Sequence, residues 1–288
     1  MILDEDCFEE LRGCMRQNLG IVAGYLRDPL VGRTCCIKMY RKECFEKVKF
    51  KDSISPDVDF REDILKYGWG QVYVLRFLGI SRNLWHTFGE HRPLYTPFYT
   101  YSKYLVEGRK WRYRKSFRGM MGNWRRLGNS PHEMALVAQI AMCHGIFMEG
   151  ERDVLRQFTE NEDFNFLESF LKSSGSFKIN KLKPFDLLFL TPKTLFKQYY
   201  RLGINLRNEN AFPAFKCWMD LLNKSNEDFA WIANVGLCHG LFYEHYSKDV
   251  FENDYIILKE LIPKYNWLTL LRKKFKHLKR LLTLNIVD

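Results

Sequence analysis

The chain has 288 residues, 46% of them hydrophobic and 16% aromatic, enough to fill a core and to exclude a disordered chain. Its 45 Lys and Arg against 34 Asp and Glu leave a net charge of +11, which suits an anionic partner. Charges or prolines interrupt every apolar run before the ~20 residues a bilayer-spanning helix needs, so no transmembrane helix is expected.

In chain order, residues 1–107 alternate short β-type runs (Ile21 to Leu26, Thr34 to Met39, Gln71 to Phe77) with helical ones (Phe8 to Asn18, Asp59 to Tyr67). This is an α/β pattern. From Trp111 onward the strand signals stop and apolar residues recur at three and four positions, with prolines near the breaks, which predicts an all-helical remainder. The expected domains are therefore 1–107 and 108–288. Residues 1–107 are nearly neutral, with 16 basic and 15 acidic side chains, and the second half holds the excess. Arg109 to Arg126 contains eight basic residues and no acid, and Arg272 to Arg280 contains six basic residues among nine.

The helical half also repeats itself. Ala135 to Glu149 matches Ala230 to Glu244 at an offset of 95 residues, sharing Cys-His-Gly and flanking Ala, Phe and Glu, which predicts a duplicated helical hairpin. The Cys-His-Gly step resembles the one through which lanthipeptide cyclases bind zinc. Adjacent helical residues point about 100° apart, however, so Cys143, His144, Cys238 and His239 read as repeat-core residues. Eight cysteines without the regular spacing of a disulfide scaffold, and no signal-peptide pattern, read as reduced thiols of a cytosolic protein.

Three pieces carry possible chemistry. Met1-Ile2-Leu3-Asp4-Glu5-Asp6 is an apolar strand end running into Asp-x-Asp, with a helix from Phe8. Pro56-Asp57-Val58-Asp59 opens a helix that runs to Gly68-Trp69. Val72-Tyr73-Val74, then Leu84-Trp85-His86 through His91-Arg92-Pro93, make a strand and a His-bearing loop. Short acidic motifs ahead of helices also serve as N-caps and first-turn carboxylates, and aromatic loops pack for burial.

In this order the three pieces resemble the C-terminal half of a bacterial family 2 glycosyltransferase of GT-A type, followed by a helical extension. The resemblance covers roughly residues 1–107. It implies a nucleotide-sugar donor, a glycan or lipid-linked acceptor of surface polysaccharide assembly, and Mn²⁺ or Mg²⁺. It also implies Asp57 as the general base of an inverting transfer, Asp4, Asp6 and His86 as metal ligands, and Asp59, Trp85 and Arg92 at the donor or acceptor. Pro56 replaces the first acid of the family's Glu-Asp pair. The nucleotide-binding strands that precede Asp-x-Asp in that family have no counterpart here, so a partner supplying them, or an incomplete transferase, is expected.

The Arg109-Lys110-Trp111-Arg112-Tyr113-Arg114-Lys115 run interleaves bases with aromatics, yet no nucleic-acid-binding motif accompanies it. Beside a polysaccharide transferase domain it suits a lipid diphosphate acceptor or an anionic membrane, or a solvated helix face. Residues 267–284 form a basic amphipathic pattern that suits the anionic inner leaflet of a cell membrane, or a docked terminal helix. A non-catalytic reading remains beside the enzymatic one, with the helical repeats acting as an interaction or membrane-docking module and the acids as caps.

Overall fold

The computed structural model describes residues 1–53, 55–74, 76–77, 85–91, 93–149, 162–177, 191–225 and 228–262. The basic pattern at 267–284 and Arg92 lie outside them. Contacts divide the chain into two compact units, Met1–Tyr113 with Met121–Glu168, and Arg114–Met120 with Ser169–Asp288.

The first unit is built around a mixed sheet. Strand β1 (Ile2–Leu3) and helix α1 (Cys7–Gly13) precede a long hairpin of β2 (Leu19–Asp28) and β3 (Gly32–Tyr40). Helices α2 (Cys44–Lys47) and α3 (Pro56–Lys66) then lead to β4 (Gly70–Tyr73), β5 (Arg76–Phe77), β6 (Trp85–His86) and β7 (Gly89–Glu90). The sheet order is β1-β7-β2-β3, with β4 parallel to the first half of β2, where Val22 faces Val72 in register. β2 and β3 are antiparallel, pairing Ile21 with Tyr40 and Asp28 with Gly32. β5 and β6 form a separate two-stranded sheet.

Successive side chains of a strand point to opposite faces, and β2 uses both. Val22 and Leu26 pack with Cys7 and Leu11 of α1, Ile37 and Phe88 on one face. Ile21 packs with Cys44, Val48, and Phe60 and Ile64 of α3 on the other. A near-continuous apolar β2 is what a strand covered on both sides requires. Gly24 lets Phe88 lie against the strand, since a Cβ there would sit 2.7 Å from the Phe88 ring. Helix α3 starts on Pro56, whose missing N–H is no loss at a first helical position, and ends at Gly68, whose φ of 87° stops the helix.

Helix α4 (Pro97–Tyr113) is continuous across Glu107 and Gly108, where the α/β and helical halves were expected to part. It packs on α6 (Ala135–Gly145), with α5 (Phe117–Gly128) between them in sequence. Ten of the eleven residues of α6 are buried, as expected of a helix apolar all round. The α4–α6 crossing is close enough that a Cβ on Gly108 would collide with the Met142 carbonyl, and one on Gly145 with that of Leu105. Helix α7 (Glu162–Leu171) follows.

In the second unit, α8 (Pro192–Asn208) packs on α10 (Asp228–Gly240), with α9 (Phe212–Lys224) between them in sequence and α11 (Lys248–Leu261) after them. Here a Cβ on Gly203 would collide with the Leu237 carbonyl, and one on Gly240 with that of Tyr200. Each of these residues lies 95 positions after its counterpart in the α4–α6 crossing. The guanidinium of Arg112 donates to the Ile146 carbonyl at 3.3 Å, and that of Arg207 to the Leu241 carbonyl at 3.1 Å. Arg112 lies 4.0 Å from Glu149, and Arg207 lies 3.1 Å from Glu244. Lys115 and Asn210, just beyond α4 and α8, both hold a positive φ, of 49° and 48°.

The Cys-His-Gly triplets sit inside these crossings. Cys143, Cys238, His144 and His239 are buried, and the Cys238 thiol donates to Asn234 Oδ1 at 3.2 Å. His239 Nε2 lies 3.2 Å from Asp254 Oδ2. No described helix is long and apolar enough to cross a membrane.

Candidate active site

The β2–β3 turn is the anchor of the site. Asp28 ends β2 with a carboxylate buried to 2% exposure. Its Oδ1 accepts the amides of Leu30 at 2.8 Å and Val31 at 2.9 Å, so one oxygen folds the turn. Its Oδ2 pairs with His91 Nδ1 and accepts the Tyr95 hydroxyl, each at 2.7 Å. The Tyr95 oxygen in turn accepts from Lys103 Nζ at 3.1 Å. Burial alone would raise the Asp28 carboxyl, but the bonds from His91, Val31, Tyr95 and Leu30 outweigh it and hold it below its ordinary 3.8. Burial and the Asp28 bond push the Tyr95 phenol far up, so it stays a donor.

This network lines one wall of a cavity of about 530 Å³ that lies entirely within the first unit. The sheet contributes Tyr25, Arg33, Thr34, Lys38 and Tyr73, and α3 contributes Asp57, Val58 and Arg61. Helix α4 presents Tyr99, Lys103, Tyr104, Glu107, Lys110 and Trp111, residues three and four apart that share one helical face, and α5 adds Asn123 and Arg126. Six cationic side chains (Arg33, Lys38, Arg61, Lys103, Lys110, Arg126) meet three carboxylates (Asp28, Asp57, Glu107), so the lining carries net positive charge. Aromatic faces are plentiful: Tyr25 stacks on Tyr73 with centroids 5.8 Å apart, and the Arg33 guanidinium lies 4.5 Å over Tyr25.

Asp57 stands in the first turn of α3, where the helix dipole favours a carboxylate. Its side chain is 52% exposed, and Oδ2 accepts Lys38 Nζ at 2.9 Å. Partial burial pushes its carboxyl up, but the hydrogen bond and charge of Lys38, with the nearby charge of Lys110, bring it below 3.8. It is ionised at neutral pH and half open to the cavity, the state a proton acceptor requires.

The other residues singled out in the sequence are placed differently. Asp59, one helical position away from the cavity residue Val58, accepts the Ser53 hydroxyl and is not part of the lining. Asp4 and Asp6 follow β1 with exposed side chains, and Asp6 makes no side-chain capping bond to α1. Neither belongs to the cavity lining. Trp85 and His86 form β6, opposite Phe77 and Arg76, and their side chains, like all of Arg92, lie outside the described residues. Among the described residues no three His, Cys, Asp or Glu side chains converge as a metal site.

The sequence pointed to the basic aromatic run after residue 108 without joining it to Asp57; Lys110, Trp111 and Arg126 share its cavity. Asp28 was missed. Asp28-Pro29 between two β-type runs signals a turn, but nothing local announces partners 63 and 67 residues away. No family model, curated protein or solved structure matches the chain.

Proposed function

We propose that the chain is a glycosyltransferase of GT-A type acting on a nucleotide-sugar donor and a glycan or lipid-linked acceptor. The observation that carries this reading is the ionised, half-exposed Asp57 opening on a cavity of aromatic faces and excess positive charge. Aromatic side chains stack on sugar rings, cations hold phosphate oxygens, and a carboxylate at their meeting point can take a hydroxyl proton. In the proposed reaction Asp57 removes that proton as the acceptor oxygen forms a bond to the anomeric carbon. The bond from that carbon to the nucleoside diphosphate breaks with its electron pair, and configuration inverts.

Asp4 and Asp6, exposed and outside the cavity lining, are of the chemical type that holds Mg²⁺ or Mn²⁺, ions commonly bound by one or two carboxylates and completed by substrate phosphates and water, and an ion there would meet a diphosphate only where the donor extends beyond that lining. A bound ion would supply neutralisation of charge on the departing diphosphate. The α4–α6 and α8–α10 pairs are, in the same proposal, copies of one duplicated hairpin. The recurrence of the glycine crossings, the Arg-to-carbonyl bonds and the positive-φ residues at a spacing of 95 supports it.

The test is transfer from UDP-, GDP- and dTDP-sugars with Mn²⁺ or Mg²⁺ to lipid-linked and soluble glycan acceptors, comparing the wild type with Asp57→Asn. Loss of a base that acts in the transition state lowers kcat by roughly 10²–10⁴-fold. An Asp57→Asn protein that transfers sugar as fast as the wild type would refute the assignment. Absence of both transfer and donor binding with every sugar would favour the interaction-module reading.

A further inference from the structure

The Asp28 network presents to the cavity a side chain for which the proposed transfer has so far no role. His91 follows β7, and its amide donates to the Arg27 carbonyl of β2 at 2.7 Å, so its backbone is fixed to the strand that carries Asp28. Its ring lines the cavity, with the side chain 24% exposed. Nδ1 lies 2.7 Å from Asp28 Oδ2. A carboxyl held below 3.8 has no proton to give at neutral pH, so Nδ1 carries the hydrogen and donates it. Nε2 bonds no described residue. It is therefore the ring atom that exchanges a proton with whatever occupies the cavity.

A purely structural role does not account for this arrangement. His144 and His239 also approach carboxylates, Asp163 at 3.4 Å and Asp254 at 3.2 Å, but their side chains are 5% and 1% exposed. Asp28 needs only donors, and the Leu30 and Val31 amides and the Tyr95 hydroxyl already supply three. The other titratable groups joined to the pair are the Tyr95 phenol, Lys103 Nζ on its oxygen at 3.1 Å, and His132, edge-on to the Tyr95 ring at 5.4 Å. With four donors on its two oxygens, Asp28 fixes the tautomer and the orientation of the ring, as a carboxylate behind a working imidazole does.

We infer that His91 is a second proton-transfer residue of the cavity, positioned by Asp28, and that its Nε2 meets a diphosphate group bound there. The proton transfer rests on the glycosyl-transfer reading above; the diphosphate contact does not. Asp57 takes the proton of the acceptor hydroxyl, so the atom still to gain one is the departing diphosphate oxygen. That oxygen leaves with the electron pair of its bond to the anomeric carbon and takes the Nε2 proton of the doubly protonated ring. The ring is left neutral, with its hydrogen on Nδ1 against Asp28, and regains a proton from solvent.

The test uses the full chain. His91→Gln leaves an amide N–H for Asp28 and no transferable proton. Asp28→Asn keeps an oxygen for the turn amides but sets an NH₂ against Nδ1, which drives the ring hydrogen to Nε2 and leaves a neutral ring that does not give it up. Circular dichroism melting checks the fold of both. In the transfer assay each should lower kcat by roughly 10²–10⁴-fold and leave KM nearly unchanged, and added imidazole should restore part of the rate of His91→Ala. A folded His91→Gln protein with the wild-type kcat would overturn the proton transfer. The contact is read by NMR of ¹⁵N-labelled histidine rings, with the His91 signals identified by their loss in His91→Gln. Addition of UDP, GDP or dTDP should move the Nε2 signal with at least one of them, and uridine should not. A signal unmoved by all three would overturn the contact. Wild-type protein that transfers no sugar would remove the acid role together with the glycosyl-transfer reading, whereas a moving Nε2 signal in that protein would leave the diphosphate contact standing.

Discussion

Replacing Asp28 tests the reasoning about the site most directly, because one buried carboxylate joins the β2–β3 turn to the wall of the cavity. Asp28→Ala removes the acceptor from four groups: the Leu30 and Val31 amides, His91 Nδ1 and the Tyr95 hydroxyl. A buried donor left without an acceptor costs about 1–3 kcal/mol. Leu30 is 1% exposed and its amide cannot turn to solvent, whereas His91 and Tyr95 are only partly buried and recover some hydration. Removing the carboxylate also relieves its own desolvation, so the net loss is about 2–4 kcal/mol. For a unit of this size that lowers Tm by on the order of 10 °C. Asp28→Asn keeps an oxygen for the two amides and places an NH₂ against Tyr95 and His91, whose hydroxyl and ring proton can rearrange, and should cost about 1 kcal/mol.

The pH dependence has a definite sign. The folded Asp28 carboxyl titrates below its ordinary 3.8, so its contribution is present above that value and lost as pH falls through the lower, folded one. Urea unfolding followed by tryptophan fluorescence should therefore show a wild-type advantage over Asp28→Asn that shrinks as pH falls below 3.8. An Asp28→Ala protein as stable as the wild type, or an advantage that grows as pH falls below 3.8, would refute the network as described.

Three further outcomes are expected. Gly145→Ala and Gly240→Ala each drive a methyl into a carbonyl of the facing helix and should destabilise by about 1–3 kcal/mol, read as paired drops in Tm; a neutral change at either would contradict the close crossing. Lys38→Met removes the hydrogen bond and charge that hold Asp57 down while its partial burial remains, so the carboxyl titrates higher and the acid limb of the transfer rate against pH moves to higher pH. A chelator should leave Tm unchanged, and Cys238→Ala should cost about 1 kcal/mol, because the thiol bonds Asn234 and packs in a core; a large chelator-induced drop in Tm would favour the zinc reading instead.

Local periodicity was enough to read the apolar β2 and β3, the helix opening at Pro56 and ending at Gly68, and the predominantly helical remainder. These depend on side-chain spacing and on Pro and Gly backbone limits, which act between near neighbours. The 95-residue spacing of the Cys-His-Gly segments was also legible, since it is a property of the string. The partners of Gly108, Gly145, Gly203 and Gly240 were not, because a glycine marks a close approach without saying what approaches.

For the site, the sequence by itself determined that Asp57 opens a helix and that a basic aromatic run follows residue 108. Only the tertiary structure decided that this run turns Lys110, Trp111 and Arg126 toward the cavity of Asp57, that Asp59 lies outside the lining, and that Asp28 reaches His91 and Tyr95. The physical reason is that an ion pair or hydrogen bond forms over about 3 Å of space whatever the separation along the chain. The pattern of one segment states what a residue can offer, and the packing of β2, β3, α3, α4 and α5 selects which groups accept it.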